Sequence, residues 1–426
     1  MRYKRSLDHL ARAEKVIPLG AQTFSKSKLQ FPPGAAPLYI ERGKANKVWD
    51  IDGNEYIDFI NGLASINLGY CDPEVNAAVE KQLAKGTIFS LPQELECEVA
   101  ELIVKMVPCA EMVRFGKNGS DATTAAIRLA RAVTGREKVA VCGYHGWQDW
   151  YIGSTSRSLG VPQVVKNLTH KFCFNDIESL LELLDHHKNE FAAVILEPVN
   201  AVEPQDGFLE AVRTVTKNND VILIFDETIS GFRVSNGGAQ EYYGVTPDLA
   251  TFGKAMANGL PISAVTGRAE IMEKMEEIFF STTFGGELLS LAAAKAVLKK
   301  LVKFPVIDTI NERGCILKSE LIKIIDRAGV GKIFSVSGLP CWSFLKIHSN
   351  TRKAQEIRTY IIQELCENGI LSIGSHNISY ANTDSDIKEL TRAYENIFEK
   401  IGLVNESGKW EQILKVKPLV PIFEIR

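Results

Sequence analysis

Several features that mark special classes of protein are scarce or missing in this sequence of 426 residues. Its charge is nearly balanced, with 49 Lys and Arg against 52 Asp and Glu, so it lacks the basic surplus typical of nucleic-acid binding. Its longest apolar runs, such as Phe191–Leu196, are far too short to cross a bilayer. The sequence therefore predicts small-molecule partners, with neither nucleic acid nor membrane among them.

Cysteine is present, but not in a pattern that binds metal or forms disulfides. The eight residues are scattered at positions 71, 97, 109, 142, 173, 315, 341 and 366, without a C-x-x-C pair. In a chain of this length, that spacing favours reduced thiols over a zinc site or a disulfide framework. The basic N-terminal stretch has no apolar core of signal-peptide length and contains Asp8 and Glu14. We therefore expect a cytoplasmic protein without a metal.

The composition that is left, 45% hydrophobic and 24% charged, is that of an ordinary globular protein with two or three folding units. A hairpin is predicted where residues 47–51 and 55–59 flank Asp52-Gly53. From about residue 90, short apolar runs alternate with helix-like stretches, as in 191–196, 207–217 and 221–225. This alternation predicts a mostly parallel sheet covered by helices on both faces.

Polar residues follow several of the apolar runs, where ligands collect in α/β proteins. Asp226 and Glu227 follow the run 221–225, and a carboxylate there needs a cation or a hydrogen-bond donor, although a helix cap would also explain it. Lys254 follows another short apolar segment. Desolvation at such a place would free its amine to form a Schiff base, although most lysines are simply solvated.

Two further motifs lie upstream. Residues 118–122, Asn-Gly-Ser-Asp-Ala, open a predicted helix and suit either a phosphate dianion or a plain N-cap. Residues 143–147, Gly-Tyr-His-Gly-Trp, would stack on a flat ring or simply pack. A phosphate cradle, an aromatic side chain, a carboxylate and a lysine together describe one ligand, pyridoxal 5′-phosphate (PLP). Its ring acts as an electron sink when a carboxylate keeps the ring nitrogen protonated.

On these residues the sequence resembles the class III aminotransferases among the fold-type I PLP enzymes, and most closely the glutamate-1-semialdehyde 2,1-aminomutase branch. The matching segments are 113–122, 127–136, 144–146 and 225–254. The resemblance implies an α/β fold of type I. A large PLP-binding domain with a mostly parallel sheet is expected over 61–300. A smaller α+β domain is expected from an N-terminal segment, 1–60, and a C-terminal segment, 301–426.

The resemblance also implies catalytic and phosphate-binding roles. Lys254 is expected to bond to the cofactor aldehyde and to shuttle the substrate proton, and Asp226 to pair with the pyridine nitrogen. Gly119 and Ser120 are expected to bind the phosphate, because the changes from the family's usual Asn-Ser-Gly-Thr-Glu loop preserve the donors.

Four more residues receive cofactor roles from the same resemblance. Tyr144 is expected to stack on the ring, and Thr228 to lie against the ring face in place of the usual valine or isoleucine. Glu197 matches a strand-end glutamate near the cofactor, although a structural role is nearly as well supported. Thr283 matches a threonine that reaches the neighbouring subunit's phosphate, which implies a homodimer with shared active sites.

Departures from the family pattern bear on the substrate. Lys26 stands where the aminomutases have an arginine that clamps the substrate carboxylate, and the gating loop is shortened to residues 153–162. Both changes favour two-substrate transamination over internal amino transfer. Trp147 and Glu287 are further departures, and an aromatic with an extra carboxylate would suit a keto sugar or sugar acid.

The sequence therefore predicts a ping-pong aminotransferase that moves an amino group from an amino donor, glutamate by default, to a carbonyl acceptor. The alternative is a true glutamate-1-semialdehyde 2,1-aminomutase. A racemase or decarboxylase on the same scaffold stays open, as does a protein that binds PLP without catalysis.

Overall fold

The computed structural model describes residues 2–348, 351–407 and 410–420, and the chain divides into two compact units. The first unit takes in the chain up to Leu63, Asn67–Asp72 and Asp308–Ile422. The second takes in Ala64–Ile66 and Pro73–Ile307. Within the described ranges, no helix combines the length and apolar character needed to span a lipid bilayer.

The described strands are, in chain order, β1 Ile40–Lys44, β2 Lys47–Asp50, β3 Glu55–Asp58, β4 Met112–Gly116, β5 Lys138–Cys142, β6 Thr169–Lys171, β7 Phe191–Leu196, β8 Ile222–Asp226, β9 Leu249–Phe252, β10 Ser263–Gly267, β11 Phe334–Leu339, β12 Trp342–Ile347, β13 Ile370–Leu371 and β14 Ser375–Asn377.

The described α-helices are, in chain order, α1 Lys4–Ala13, α2 Asn61–Ala64, α3 Pro73–Leu83, α4 Glu94–Met106, α5 Gly119–Thr134, α6 Asp149–Ile152, α7 Gln163–Lys166, α8 Ile177–His186, α9 Phe208–Asn218, α10 Ala239–Tyr243, α11 Ala269–Met272, α12 Leu288–Lys303, α13 Val306–Arg327, α14 Thr351–Glu367 and α15 Asp384–Ser407. Short 3₁₀ turns cover Pro18–Gly20, Phe24–Lys26, Lys254–Ala257, Glu273–Glu276 and Trp410–Gln412.

The second unit is built on a seven-stranded sheet in the order β4-β10-β9-β8-β7-β5-β6. The five strands β9, β8, β7, β5 and β6 pair in parallel with their neighbours in that order. Strand β10 pairs antiparallel with both β9 and β4. Six strands therefore share one direction, and the prediction of a mostly parallel α/β sheet is confirmed.

Strand β7 shows why these residues form a covered parallel strand. All six of its residues are buried, and successive side chains point to opposite faces of the sheet. Ala193 and Ile195 pack in a core cluster with residues of α5, whereas Val194 and Leu196 pack with residues of α8 and α9. An uninterrupted apolar strand is stable only between two such layers.

The first unit contains two smaller sheets. One has the order β1-β2-β3-β13, with β13 parallel to β3, and the other has the antiparallel order β11-β12-β14. Strands β2 and β3 form the hairpin expected around Asp52-Gly53, where Gly53 adopts a φ of 88°. That left-handed conformation suits glycine, because it has no Cβ.

Glu227, directly after β8, is fully buried and fastens the loop that leads to α10. Its Oε2 accepts hydrogen bonds from the Ser230 hydroxyl at 2.7 Å and the Ala239 amide at 2.6 Å. Its Oε1 accepts from the backbone amide of Gln240 at 3.0 Å and from the side-chain amide of Gln240 at 3.2 Å. This carboxylate is therefore a structural anchor.

We predict that Glu227→Gln lowers the free energy of unfolding by about 1–3 kcal/mol, because an amide NH₂ would face donors that have lost their acceptor. Guanidinium unfolding curves of the apoprotein measure the change. The matched control is Glu210→Gln on the exposed face of α9, expected to stay within about 0.5 kcal/mol of wild type. Equal stability of the two variants would show that Glu227 is not an anchor.

Candidate active site

The candidate site lies along the edge of the large sheet where its parallel strands end. Strand β8 ends in Asp226, β7 is followed by Glu197, and β5 leads into Gly143-Tyr144. Strand β9 is followed by Gly253 and Lys254. Because these strands share one direction, their final residues converge on one edge, the usual position of ligands in such sheets.

A cavity of about 300 Å³ opens at this edge. Its lining brings together seven of the residues singled out from the sequence, namely Gly119, Ser120, Tyr144, Glu197, Asp226, Thr228 and Lys254. The lining also includes Lys117, His145 and Ile229.

Asp226 is buried at the centre of the site and is held by three hydrogen bonds. Its Oδ2 lies 2.9 Å from Nδ1 of His145, and its Oδ1 accepts from the Thr228 amide and the Thr251 hydroxyl, each at 3.1 Å. Burial by itself would raise the pKa of Asp226, but the hydrogen bond and charge of His145, together with the Thr228 amide, lower the pKa below its usual value. Asp226 is therefore poised as a buried carboxylate anion.

His145 is the functional residue that sequence reasoning missed, although its Tyr-His-Gly motif was recognised. The ring is fully buried, and Nε2 lies 3.2 Å from the carbonyl oxygen of Cys142. A carbonyl only accepts, so both ring nitrogens face oxygen acceptors, an arrangement that suits a proton on each. The signal in the sequence was a polar ring inside an otherwise apolar and aromatic motif.

The N-terminus of α5 forms another wall of the cavity. Gly119 and Ser120 are its first two residues, where backbone amides have no partner within the helix. The loop after β5 approaches closely, since a Cβ added at Gly146 would lie 2.3 Å from the Ser120 hydroxyl oxygen. The Thr123 hydroxyl ties the two segments by donating to the carbonyl oxygen of His145 at 2.9 Å.

Tyr144 and Glu197 adjoin each other at the ends of β5 and β7. Glu197 Oε2 accepts a hydrogen bond from the Tyr144 amide at 2.9 Å. Tyr144 is 38% exposed, and its ring is nearly perpendicular to that of Tyr151, with 5.7 Å between the centroids. Burial, reinforced by the charges of Asp226 and Glu197, raises the pKa of the Tyr144 hydroxyl. The ring therefore offers a neutral aromatic face to the cavity.

Two residues of the site are unusual, Lys254 in its backbone conformation and Thr228 in its hydrogen bonding. Lys254 has a φ of 42°, a left-handed conformation that is rare for residues with a long side chain and common at functional sites. The Thr228 hydroxyl is buried and makes no hydrogen bond within the described part of the chain.

The remaining sequence candidates lie outside the described lining of this cavity. Thr283 is exposed, and Trp147 is 64% exposed. Glu287 caps α12 through the Leu289 amide at 2.8 Å and forms an ion pair with Lys117 at 3.0 Å. Lys26 is exposed and belongs to the first unit.

Comparison with known proteins identifies the family. The family model described as Aminotransferase class-III matches residues 31–398. The chain belongs to the class III aminotransferases.

Two curated relatives carry different names. The 3-aminobutyryl-CoA aminotransferase of Cloacimonas acidaminovorans is 36% identical over 398 residues, which cover 91% of this chain and 95% of that protein. The glutamate-1-semialdehyde 2,1-aminomutase of Archaeoglobus fulgidus is 39% identical over 385 residues, covering 84% and 91%. A solved structure, the Sphingopyxis sp. MTA144 FumI protein in its PLP internal aldimine form, matches with a TM-score of 0.88 and 28% identity over 97% of this chain and 98% of that one.

Class III aminotransferases use PLP, and the chemistry of this cavity fits it. The helix N-terminus at Gly119 and Ser120 suits a dianionic phosphate, and the ionised, buried Asp226 suits a protonated ring nitrogen. The Lys254 amine suits an aldehyde. The prediction of PLP as the cofactor and the prediction of a fold-type I architecture are both confirmed.

We predict that His145→Leu makes the stability of the apoprotein newly dependent on pH. Without His145, burial becomes the dominant influence on Asp226, and the pKa of that carboxyl rises above its unfolded value. A raised carboxyl pKa means that stability present at low pH is lost as the pH rises. The free energy of unfolding should therefore fall, relative to wild type, as the pH rises above the ordinary pKa of aspartic acid, about 3.9, in the acidic window that ends at the ordinary pKa of histidine, about 6.5.

Guanidinium unfolding at several pH values across that window measures the effect. The control repeats the comparison in an Asp226→Asn background, where the pH-dependent part should vanish because residue 226 no longer titrates. A loss of stability that is the same at every pH would refute the proposed control of Asp226 by His145.

Proposed function

We propose that this class III aminotransferase moves an amino group from an amino donor to a separate carbonyl acceptor by a ping-pong mechanism. The oxo product of the donor would leave before the acceptor enters. The observation that carries the proposal is the convergence of Lys254, the ionised Asp226 and the N-terminus of α5 on one cavity. When bound, PLP supplies an electron sink for the bonds at the Cα atom of the donor.

Holding the cofactor would fall to residues around the cavity. The amides of Gly119 and Ser120 would donate to the phosphate, and Asp226 would accept from the protonated ring nitrogen. Tyr144 would cover one face of the ring and Thr228 the other, with the Thr228 hydroxyl as an additional donor. Glu197 would position Tyr144 through the backbone amide of that residue.

Lys254 would perform the proton transfer. The amino donor would take the place of the Lys254 amine at the aldehyde carbon of the cofactor. The freed amine would then remove the proton from the donor Cα. In the second half-reaction the same amine would deliver a proton to the corresponding carbon of the acceptor. One lysine therefore serves as base and acid in turn.

The substrate pair is proposed only as a class: an amino acid as donor, glutamate by default, and a carbonyl compound as acceptor. A keto sugar or sugar acid as acceptor, which was expected because of Trp147 and Glu287, gains no support. Glu287 caps α12 and forms an ion pair with Lys117. Internal amino transfer is the second candidate, because a relative named as glutamate-1-semialdehyde 2,1-aminomutase is 39% identical over 84% of this chain. Lys26 and the short loop at 153–162 favour the two-substrate reaction.

We predict that the holoenzyme loses its visible cofactor absorbance when an amino donor is added without an acceptor, with release of the matching oxo acid. Lys254→Ala should slow this half-reaction by at least about 10²–10⁴-fold, because it removes the proton-transfer group. Lys105→Ala, at an exposed lysine on α4, is the matched control and should react like wild type. Stopped-flow absorbance and oxo-acid analysis measure both.

Three other results would contradict the proposal. Conversion of glutamate 1-semialdehyde to 5-aminolevulinate without a further donor would identify an aminomutase. A holoenzyme that binds PLP and reacts with no donor would be a binding protein. Undiminished turnover by Lys254→Ala would exclude Lys254 as the proton carrier.

We also propose that the enzyme is a homodimer in which Thr283 of the partner subunit helps to hold the phosphate. Thr283 is exposed, and the Leu288 amide donates to the Thr87 carbonyl at 2.8 Å, so two segments rich in exposed apolar residues adjoin each other. Exposed side chains of this kind in the second unit include Ile88, Phe89, Leu91, Phe279 and Phe284. An association surface would bury them.

We predict a dimer by sedimentation equilibrium and about tenfold weaker PLP binding in Thr283→Ala, since one hydrogen bond to a charged group is lost. Thr282→Ala is the neighbouring control and should bind PLP like wild type.

Mixed dimers of Lys254→Ala and Thr283→Ala subunits would contain one site with both residues intact. Failure of these mixtures to regain sites of wild-type affinity would exclude a shared site.

A further inference from the structure

A second cavity, of about 250 Å³, lies within the first unit between β12, α14 and the segment that joins β13 to β14. It shares no described lining residue with the cavity at Lys254. Most of its described wall is aliphatic, formed by the side chains of Leu345, Ile347, Ile361 and Ile373. Such a surface binds the apolar part of a ligand.

Two polar side chains also line this cavity, Arg358 and Gln355. They lie three residues apart on α14, and Ile361 follows at the same spacing, so the three share one face of the helix. Arg358 and Gln355 therefore contribute the polar side chains of a cavity whose other described side chains are aliphatic.

Arg358 has no counter-ion within the described part of the chain. Its Nε is buried without a hydrogen-bond partner, and no carboxylate of the described residues pairs with the guanidinium. Burial of most of the side chain lowers the pKa of Arg358, because that part of the charged group has left water without an ion-pair partner among the described residues. An unpaired charge in an apolar cavity is costly, and an anionic ligand would remove that cost.

We propose that this cavity is a binding site for a small organic carboxylate, with the carboxylate group on Arg358 and Gln355 and an aliphatic body against the apolar wall. A planar guanidinium matches a carboxylate in a two-pronged pair. The aliphatic wall offers no further donors of the kind a phosphate dianion requires. The volume is below the range of about 300–1,000 Å³ for drug-sized ligands, which favours a ligand of a few carbon atoms.

Isothermal titration of the wild-type holoenzyme with acetate, butyrate and hexanoate tests the proposal. Each added methylene should strengthen binding about fourfold until the cavity is filled. Hexanamide, which keeps the body and loses the charge, should bind at least about tenfold more weakly than hexanoate. Inorganic phosphate should bind more weakly than hexanoate.

Arg358→Met should weaken hexanoate binding by about tenfold or more. Its melting temperature without ligand should be no lower than that of wild type, since the variant removes an unpaired charge. The matched control is Arg392→Met, which removes the same charge from an exposed position on α15 and should bind within about twofold of wild type. If Arg358→Met does not fold, Arg358→Gln serves as the second variant.

The proposal fails if Arg358→Met binds hexanoate as tightly as wild type, or if hexanamide binds as tightly as hexanoate. It also fails if affinity does not rise from acetate to hexanoate, if phosphate is the tighter ligand, or if the wild-type holoenzyme binds none of the carboxylates. These outcomes do not depend on whether the proposed amino transfer is correct. The experiment measures carboxylate binding, and the described lining of this cavity does not include Lys254.

Discussion

The shared direction of five strands, β4, β5, β7, β8 and β9, is the constraint on which the active site depends. Strands β5, β7, β8 and β9 pair in parallel, and β4 runs in the same direction because the antiparallel β10 lies between it and β9. Their carboxyl ends therefore lie on one edge, and the connections that follow must start there. The N-terminus of α5 opens at the same edge because β4 runs directly into it. Residues between 117 and 262 therefore line one cavity.

Two adjacent acidic residues show how the local environment gives one carboxyl group a role in the candidate site and the other a structural role. Asp226 and Glu227 are both buried, yet the pKa of Asp226 is lowered and that of Glu227 is raised. For both carboxyls burial is the largest influence and favours the neutral form. The hydrogen bond and charge of His145 reverse this influence on the pKa of Asp226, whereas the partners of Glu227 in the described chain are neutral donors. The carboxylate beside a histidine is left ionised and faces the cavity.

One partly buried arginine in each unit shows a similar contrast between a paired and an unpaired charge. Arg213 forms a two-pronged pair with Asp248 at 2.7 and 3.0 Å, and this pair fastens α9 to the start of β9. Arg358 lies in an aliphatic cavity without such a partner in the described chain. A guanidinium that is already paired holds a fold together, whereas an unpaired one offers its charge to a ligand.

The sequence by itself predicted the hairpin at Asp52-Gly53, the alternation of apolar strands and helices in the second unit, and the motifs of the candidate site, because each depends on residues close together in the chain. The apolar run of β7 and the helix that opens at Gly119 need only local patterning. Only the tertiary structure decided which side chains meet across distant strands. The pairing of His145 with Asp226 joins residues 81 positions apart, and the unpaired state of Arg358 depends on what every other described side chain does. Local patterns carry no information about such contacts, because the packing of the whole chain sets them.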